Sequence, residues 1–257
     1  MSNEVGSALA VTPDTHRTVL RPNAMTHVVM PLAAVLVASF VLMQHYGDLE
    51  VSAWLYAAQG HAWALKDAWI TEQVIHKLGR NLSIGAGLVV LGLAIASAWK
   101  PSLAGLRRPL LRLFVSVALS TILVSLLKKH TGMDCPWDLT RYGGTREFVG
   151  LLAARPHGMP TGVCFPAGHS SAGFAWVSLY FFALMVRPAW RWGGLAVGLL
   201  AGGVFGLSQQ LRGAHFLSHD LWTLATCWTV SLLLFVAVQR VRTHPQRSAA
   251  LMQGARA

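Results

Sequence analysis

Three short stretches of the sequence gather side chains that bind anions and move protons. The first runs from Lys128-Lys129-His130 to Asp134-Cys135-Pro136-Trp137-Asp138. The second is Cys164-Phe165-Pro166-Ala167-Gly168-His169-Ser170, and the third spans Ser208 to Asp220, with Gln209, Arg212, His215 and His219 inside it. Lys128 and Arg212 are fixed positive charges suited to an anion. Gly168 lets backbone N–H groups approach closely, and His169 stands where an apolar helix is expected to begin. Free N–H groups and the helix dipole make such a start a ready phosphate site. His169 and His215 are the residue type that serves as acid or nucleophile near neutral pH. Together these groups point to phosphoryl transfer, in which positioning and charge stabilisation supply most of the catalysis. The i, i+4 spacing of His215 and His219 also suits zinc. A hydrolytic zinc helix wants a Glu directly after its first His, and Phe216 stands there, so the reading is of a site without metal.

What positions these clusters is read from the apolar runs around them. The chain has 257 residues, 54% hydrophobic and 12% charged, with mean hydropathy +0.48. Soluble chains carry roughly twice that charged fraction. Six apolar stretches are long enough, or nearly so, to cross a bilayer: Thr26–Met43, Leu82–Trp99, Leu110–Leu127, Ser170–Val186, Gly193–Leu211 and Leu221–Val238. The fold class expected is therefore all-α, a polytopic bundle of about six membrane helices. The net charge of +11 fits basic cytoplasmic loops better than nucleic-acid binding. Lys100, Arg107, Arg108, Arg187 and Arg191 fall in short, almost acid-free loops, which favours N-in and C-in. All three reactive clusters then lie on the outer side.

Residues 1–22 are expected to be a poorly ordered cytoplasmic terminus, 23–240 the membrane domain and 241–257 a cytoplasmic tail. No small-residue cleavage site follows the first apolar run, which reads as a retained anchor. Between Trp63 and Leu78, apolar residues recur at helical spacing with charges between them, so an amphipathic helix is expected there, lying on the outer surface or packed against the bundle. The glycines of the fifth span (Gly193, Gly194, Gly198, Gly202, Gly203 and Gly206) read as a close helix-packing face rather than a device for transport.

The ordered set resembles the type 2 phosphatidic acid phosphatase superfamily. Its motifs are K-x6-R-P, P-S-G-H and S-R-x5-H-x3-D. This chain has Lys128-x6-Cys135-Pro136, Pro166-Ala167-Gly168-His169 and Ser208-Gln209-x5-His215-x3-His219. The resemblance covers about 82–238 and implies a six-helix membrane phosphatase. His215 would carry the phosphoryl group, His169 would protonate the leaving oxygen, and Lys128 with the backbone of Ala167 and Gly168 would hold the phosphate. It implies neither metal nor cofactor. Cys135, Ala167 and Gln209 depart from the family's Arg, Ser and Arg. Arg212, one turn beyond Gln209, could cover the place of the missing cation, and loop residues Arg141 or Arg146 could replace the other. The family's orienting Asp falls on His219, with Asp220 next; His219 is preferred on register and Asp220 is the alternative.

Cys135 and Cys164 flank the first two clusters on the oxidising side and are expected to be disulfide-bonded, while Cys227 lies within the last span as a packing residue. The resemblance implies a lipid phosphate or lipid diphosphate as substrate, membrane lipids as surroundings and no nucleic acid. It places the protein in a bacterial inner membrane with its site facing the periplasm. A lipid phosphotransferase with a polyprenyl diphosphate donor would use the same residues, and an inactive lipid-binding or transport relative is the remaining alternative. The sequence carries no signal for or against self-association.

Overall fold

The computed structural model describes residues 23–44 and 46–254, with side chains to 237. The expected disordered terminus at 1–22 lies outside the described residues. The described residues form an all-α bundle with no strand, apart from one isolated bridge between Leu139 and Arg146. Seven helices run in order: α1 Met25–Gln44, α2 Gly47–Ala58, α3 Ile70–Ala96, α4 Arg107–Thr131, α5 Ser171–Val186, α6 Arg191–Leu211 and α7 Leu217–Gly254. Five segments are long and apolar enough to cross a membrane: α1, α3, the stretch around α4, α6 with the turn before it, and α7 as far as Ala237.

The expected fourth span, α5, is the short one. It is the central helix, and both of its flanks are covered. Phe174, Ala175, Val177, Tyr180, Phe181 and Leu184 are all buried, in two clusters shared with Leu113 and Val117 of α4 and Cys227, Leu232 and Phe235 of α7. A helix wrapped by its neighbours need not match the lipid thickness itself. Cys227 is a buried free cysteine, as expected of a packing residue.

The amphipathic stretch differs from the expectation. Residues 63–68 form an irregular, turn-rich stretch, and Ile70–Leu78, wound as a π-helix, runs directly into Gly79–Ala96. The reason is local: no proline separates the two parts, Gly79 at their junction keeps helical dihedrals, and Glu72 and Lys77 pair at 3.1 Å within the polar end. The product is a single helix about 40 Å long, with its first turns carried beyond the lipid.

Close packing of α5 on α6 rests on glycine. A Cβ at Gly198 would lie 2.3 Å from the Val177 backbone nitrogen, one at Gly202 2.1 Å from the Phe174 ring, and one at Gly194 2.8 Å from the Leu179 carbonyl carbon. Gly193 and Gly203 face open space. Thus four of the six glycines, Gly206 included, form the packing face (Gly206 meets Asp220 of α7), and the other two do not.

The alternation of helix direction gathers the end of α4, the start of α5, the end of α6 and the starts of α3 and α7 at one end of the bundle. Lys100, Arg107, Arg187 and Arg191 sit at the other. Exposed Trp99, Trp190 and Trp192 mark the basic end, and exposed Trp54 and Trp69 the opposite one, as interfacial aromatic belts do.

Candidate active site

Each reactive cluster is fixed by its own local structure. Helix α4 ends at Gly132, whose φ of 68° supplies the left-handed turn, so Lys128 lies in the last turn. Its ammonium reaches the Gly168 turn, where a glycine Cβ would stand 3.5 Å from Lys128 Nζ. The turn itself is tied down on both sides. Ser171 Oγ donates to the Gly168 carbonyl at 2.6 Å, Thr223 Oγ1 to the Ala167 carbonyl at 3.0 Å, and the Thr131 hydroxyl to the Phe165 carbonyl.

Cys135 and Cys164 are disulfide-bonded, with Cα atoms 5.4 Å apart, which joins the first cluster to the second. The loop they bracket closes on a buried carboxylate. Arg146 donates to Asp134 Oδ1 at 2.7 Å, and Arg155 to Asp134 Oδ2 at 2.7 Å and to the Gly132 carbonyl at 2.7 Å. Arg146 is therefore spent on Asp134 and does not replace the cation missing at Cys135. Arg141 is exposed over the Tyr142 ring and does not line the site cavity.

The two histidines meet. His169 and His215 have ring centroids 6.0 Å apart. His219 Nδ1 lies 3.5 Å from His215 Nδ1, both rings being buried. Asp220 turns elsewhere: it accepts from Gln210 Nε2 at 2.7 Å and packs where Gly206 leaves room. Of the two residues considered for orienting His215, His219 is the one in contact. Ala167 is fully buried and its N–H donates to the His219 carbonyl at 3.2 Å, so of the expected phosphate-binding backbone it is Gly168 that remains beside Lys128.

Arg212 is buried and held inside the protein. Its Nε donates to the Lys66 carbonyl at 2.6 Å, and Nη1 lies 3.4 Å from His76 Nδ1 and 3.5 Å from Gln209 Oε1. Sequence reasoning did not single out His76. Its ring meets that of His169 edge-on, with centroids 4.0 Å apart. A cavity of about 50 Å³ opens beside this pair, lined by His76 and Arg80 of α3, Gly168 and His169, and Phe205 and Gln209 of α6. The one signal for His76 and Arg80 was two ionisable groups, four residues apart, at the entrance of a span.

Burial sets the protonation. His169 is pushed down to about 3, first by burial and then by the nearby His76, Lys128, Arg212 and Arg80. His215 is held well below the ordinary imidazole range, chiefly by burial and then by His219, Lys128 and His169; a hydrogen bond to the Cys164 carbonyl pulls the other way. Burial thus favours the neutral form of both rings. A bound phosphate would bring negative charge that offsets this.

Asp48, also missed in the sequence, fixes the start of α7. Its Oδ1 accepts from the Ser218 N–H at 2.9 Å, one of the free donors at the helix start. Burial raises its carboxyl from the ordinary 3.8 to about 6. The folded state thus binds the proton more tightly than the unfolded chain. Stability from this group is full below about pH 4 and is lost as pH rises through about 6, by on the order of 3 kcal/mol. Asp48→Asn keeps an acceptor without a buried charge. It is expected to raise the melting temperature at pH 7.5 and to leave it nearly unchanged at pH 4, while Asp48→Ala, which also loses the acceptor, lowers it at pH 4 and raises it less than Asp48→Asn at pH 7.5. Melting curves of the detergent-solubilised proteins at the two pH values check this.

The PAP2 superfamily model matches residues 109–243, just over half of the chain, and the protein belongs to that superfamily. No curated protein and no solved structure matches it. The matched range holds every motif residue from Lys128 to Asp220; His76, Arg80 and Asp48 lie outside it.

Proposed function

We propose that the chain is an integral membrane phosphatase that hydrolyses a phosphate ester or diphosphate of a lipid on the extracytoplasmic face, through a phosphohistidine on His215. Superfamily membership supports phosphate-ester chemistry in general, and the bundle of apolar helices supports a lipid setting. The observation that carries the finer reading is the placing of His169 and His215, with centroids 6.0 Å apart, beside Lys128 and the Gly168 turn. One phosphorus and its leaving oxygen can touch both rings at that separation. The basic loops at the far end of the bundle support an extracytoplasmic site.

A ring nitrogen of His215, neutral in the empty site, attacks phosphorus. The bond to the leaving oxygen breaks with its electron pair on that oxygen, which takes a proton from His169. That proton enters with the substrate, whose negative charge makes imidazolium at His169 favourable again. Water then attacks phosphorus and gives a proton to His169; the N–P bond breaks with its electron pair on the His215 nitrogen, which releases inorganic phosphate and restores His215. Lys128 and the Gly168 backbone offset the charge on the phosphoryl oxygens, and His219 holds the His215 ring. The side chains named provide the acid, the nucleophile and the charge, and no metal enters these steps.

The test is a trap. Purified protein mixed with lipid carrying labelled phosphate and quenched in alkali within milliseconds should hold label that is stable to base and labile to acid, on the peptide containing His215. Turnover with no protein-bound label, or with label on another residue, would remove the proposed intermediate.

A further inference from the structure

The cavity beside His169 takes in His76, Arg80, Gln209 and Gly168 but neither Lys128 nor His215. It shares His169 and the Gly168 turn with the reaction site and extends from them toward α3. Its guanidinium and one of its imidazoles come from α3, a helix that contributes no residue to the three sequence clusters. Gly79 makes this possible: a Cβ there would stand 2.6 Å from the Phe205 ring, so its absence lets α3 close onto α6. His76 and Arg80, four residues apart, then share the face turned to His169.

Within a largely apolar wall stand polar groups beyond the needs of the fold. Arg212 Nη1 can only donate, so His76 Nδ1 accepts and the ring proton resides on Nε2. That Nε2 is buried with no partner, and so is Nδ1 of His169. Arg80 reaches the cavity from an exposed position, and no carboxylate pairs with it among the described residues. Unpaired buried donors cost stability unless a ligand meets them.

On the reading that His169 protonates the leaving oxygen, the leaving group starts in this compartment. An alcohol leaving group would need only the apolar part of that wall. Here the apolar members, Ile75, Ala172 and Phe205, share the wall with a guanidinium, an imidazole N–H and an amide. We propose that His76 and Arg80 form a leaving-group subsite for an anion, so that the substrate class is a lipid diphosphate, cleaved at its outer phosphorus. The N–P bond forms at His215, the bridging P–O bond breaks, and the electron pair stays on the lipid monophosphate, which takes the proton from His169 and is held by Arg80. A leaving phosphate needs much less help from its acid than an alkoxide does, which agrees with an acid as hard to protonate as His169.

The proposal rests on the phosphatase reading, and the experiment separates the two. Full-length protein in detergent is assayed on farnesyl diphosphate and farnesyl monophosphate. Wild type should favour the diphosphate in kcat/KM. Arg80→Ala should lose about 10- to 100-fold on the diphosphate and several-fold less on the monophosphate, and Arg80→Lys should recover most of the difference. Equal losses on both substrates, or no loss, would overturn the subsite, leaving Arg80 as an interfacial anchor. A second reading needs no turnover. Methylenediphosphonate should raise the melting temperature more than inorganic phosphate does, and Arg80→Ala should abolish that preference; equal shifts in wild type would also overturn it. If His215→Ala hydrolyses both lipids at the wild-type rate, the nucleophile assignment fails instead, and the diphosphonate shift still decides the subsite.

Discussion

Phosphate release is expected to fall about ten-thousandfold or more when His215 becomes alanine, because removing a covalent nucleophile takes away the whole stepwise route. The loss should appear in kcat and kcat/KM together, since the N–P bond exists only from the transition state onward. His169→Ala should cost less, about 100- to 10,000-fold, the usual span for a general acid. The cost should shrink further on substrates with better leaving groups, which need no proton. His219 is a positioning residue in this scheme. Its Nδ1 lies 3.5 Å from that of His215, a long and neutral contact, so His219→Ala should cost only about 10- to 100-fold. Its signature is the pH profile. His219→Asp places a carboxylate beside His215, which favours imidazolium and raises the pKa of that ring. The acid limb of kcat/KM should therefore move to higher pH in His219→Asp and stay in place in His219→Gln. A His215→Ala protein with wild-type turnover would show that the nucleophile is another group, and an unmoved limb in His219→Asp would remove His219 from its role.

How much of this could be read from the sequence follows from the range of each interaction. The three clusters were legible because alternating helices bring every second span end to one face, and each cluster sits at such an end. The disulfide followed from the same geometry, since Cys135 and Cys164 each adjoin a cluster. The contact of His219 with His215 follows from i, i+4 spacing at a helix start. Asp220, one residue on, points about 100° around the helix, toward Gly206 and Gln210 of α6.

What was not legible depends on partners far away in the chain. Arg146 looked like a spare cation, and its real partner, Asp134, lay unnoticed inside the first cluster. His76 and Arg80 sit in a stretch whose local pattern is that of a surface helix. Nothing nearby announces that Gly79 will let the helix press against Phe205 more than a hundred residues later. Asp48 likewise gains its meaning only when Ser218 arrives, 170 residues on. The divergence of the motifs has the same cause. With Gln209 in place of the family arginine, the positive charge near His169 comes from Lys128, from Arg212 one turn beyond Gln209, and from Arg80, a side chain that no motif spacing predicts.

Gly198→Ala is expected to cost most of the folded protein, while Gly203→Ala, five residues away in the same helix, is expected to be neutral or stabilising. Both changes add one methyl group and both favour the helix by up to about 1 kcal/mol. They differ in what the methyl group meets. At Gly203 there is no atom within 4 Å, whereas at Gly198 the Val177 backbone nitrogen is 2.3 Å away, with Trp176 C at 2.6 Å. Backbone cannot rotate aside as a side chain can, so α5 and α6 must separate by an ångström or more. Overpacking in a close-packed interior costs about 1–3 kcal/mol when side chains can adjust, and more when they cannot. In lipid the loss is not softened by a hydrophobic driving force between helices, because close contact is itself what holds them. The separation also reaches the chemistry. Helix α6 carries Gln209 and the approach to Arg212, and α5 follows directly on His169, so whatever Gly198→Ala protein folds should bind diphosphonate more weakly. Yield of monodisperse protein and melting temperature in detergent measure the first effect, and equal values for the two variants would mean that the helix contact bears little of the stability.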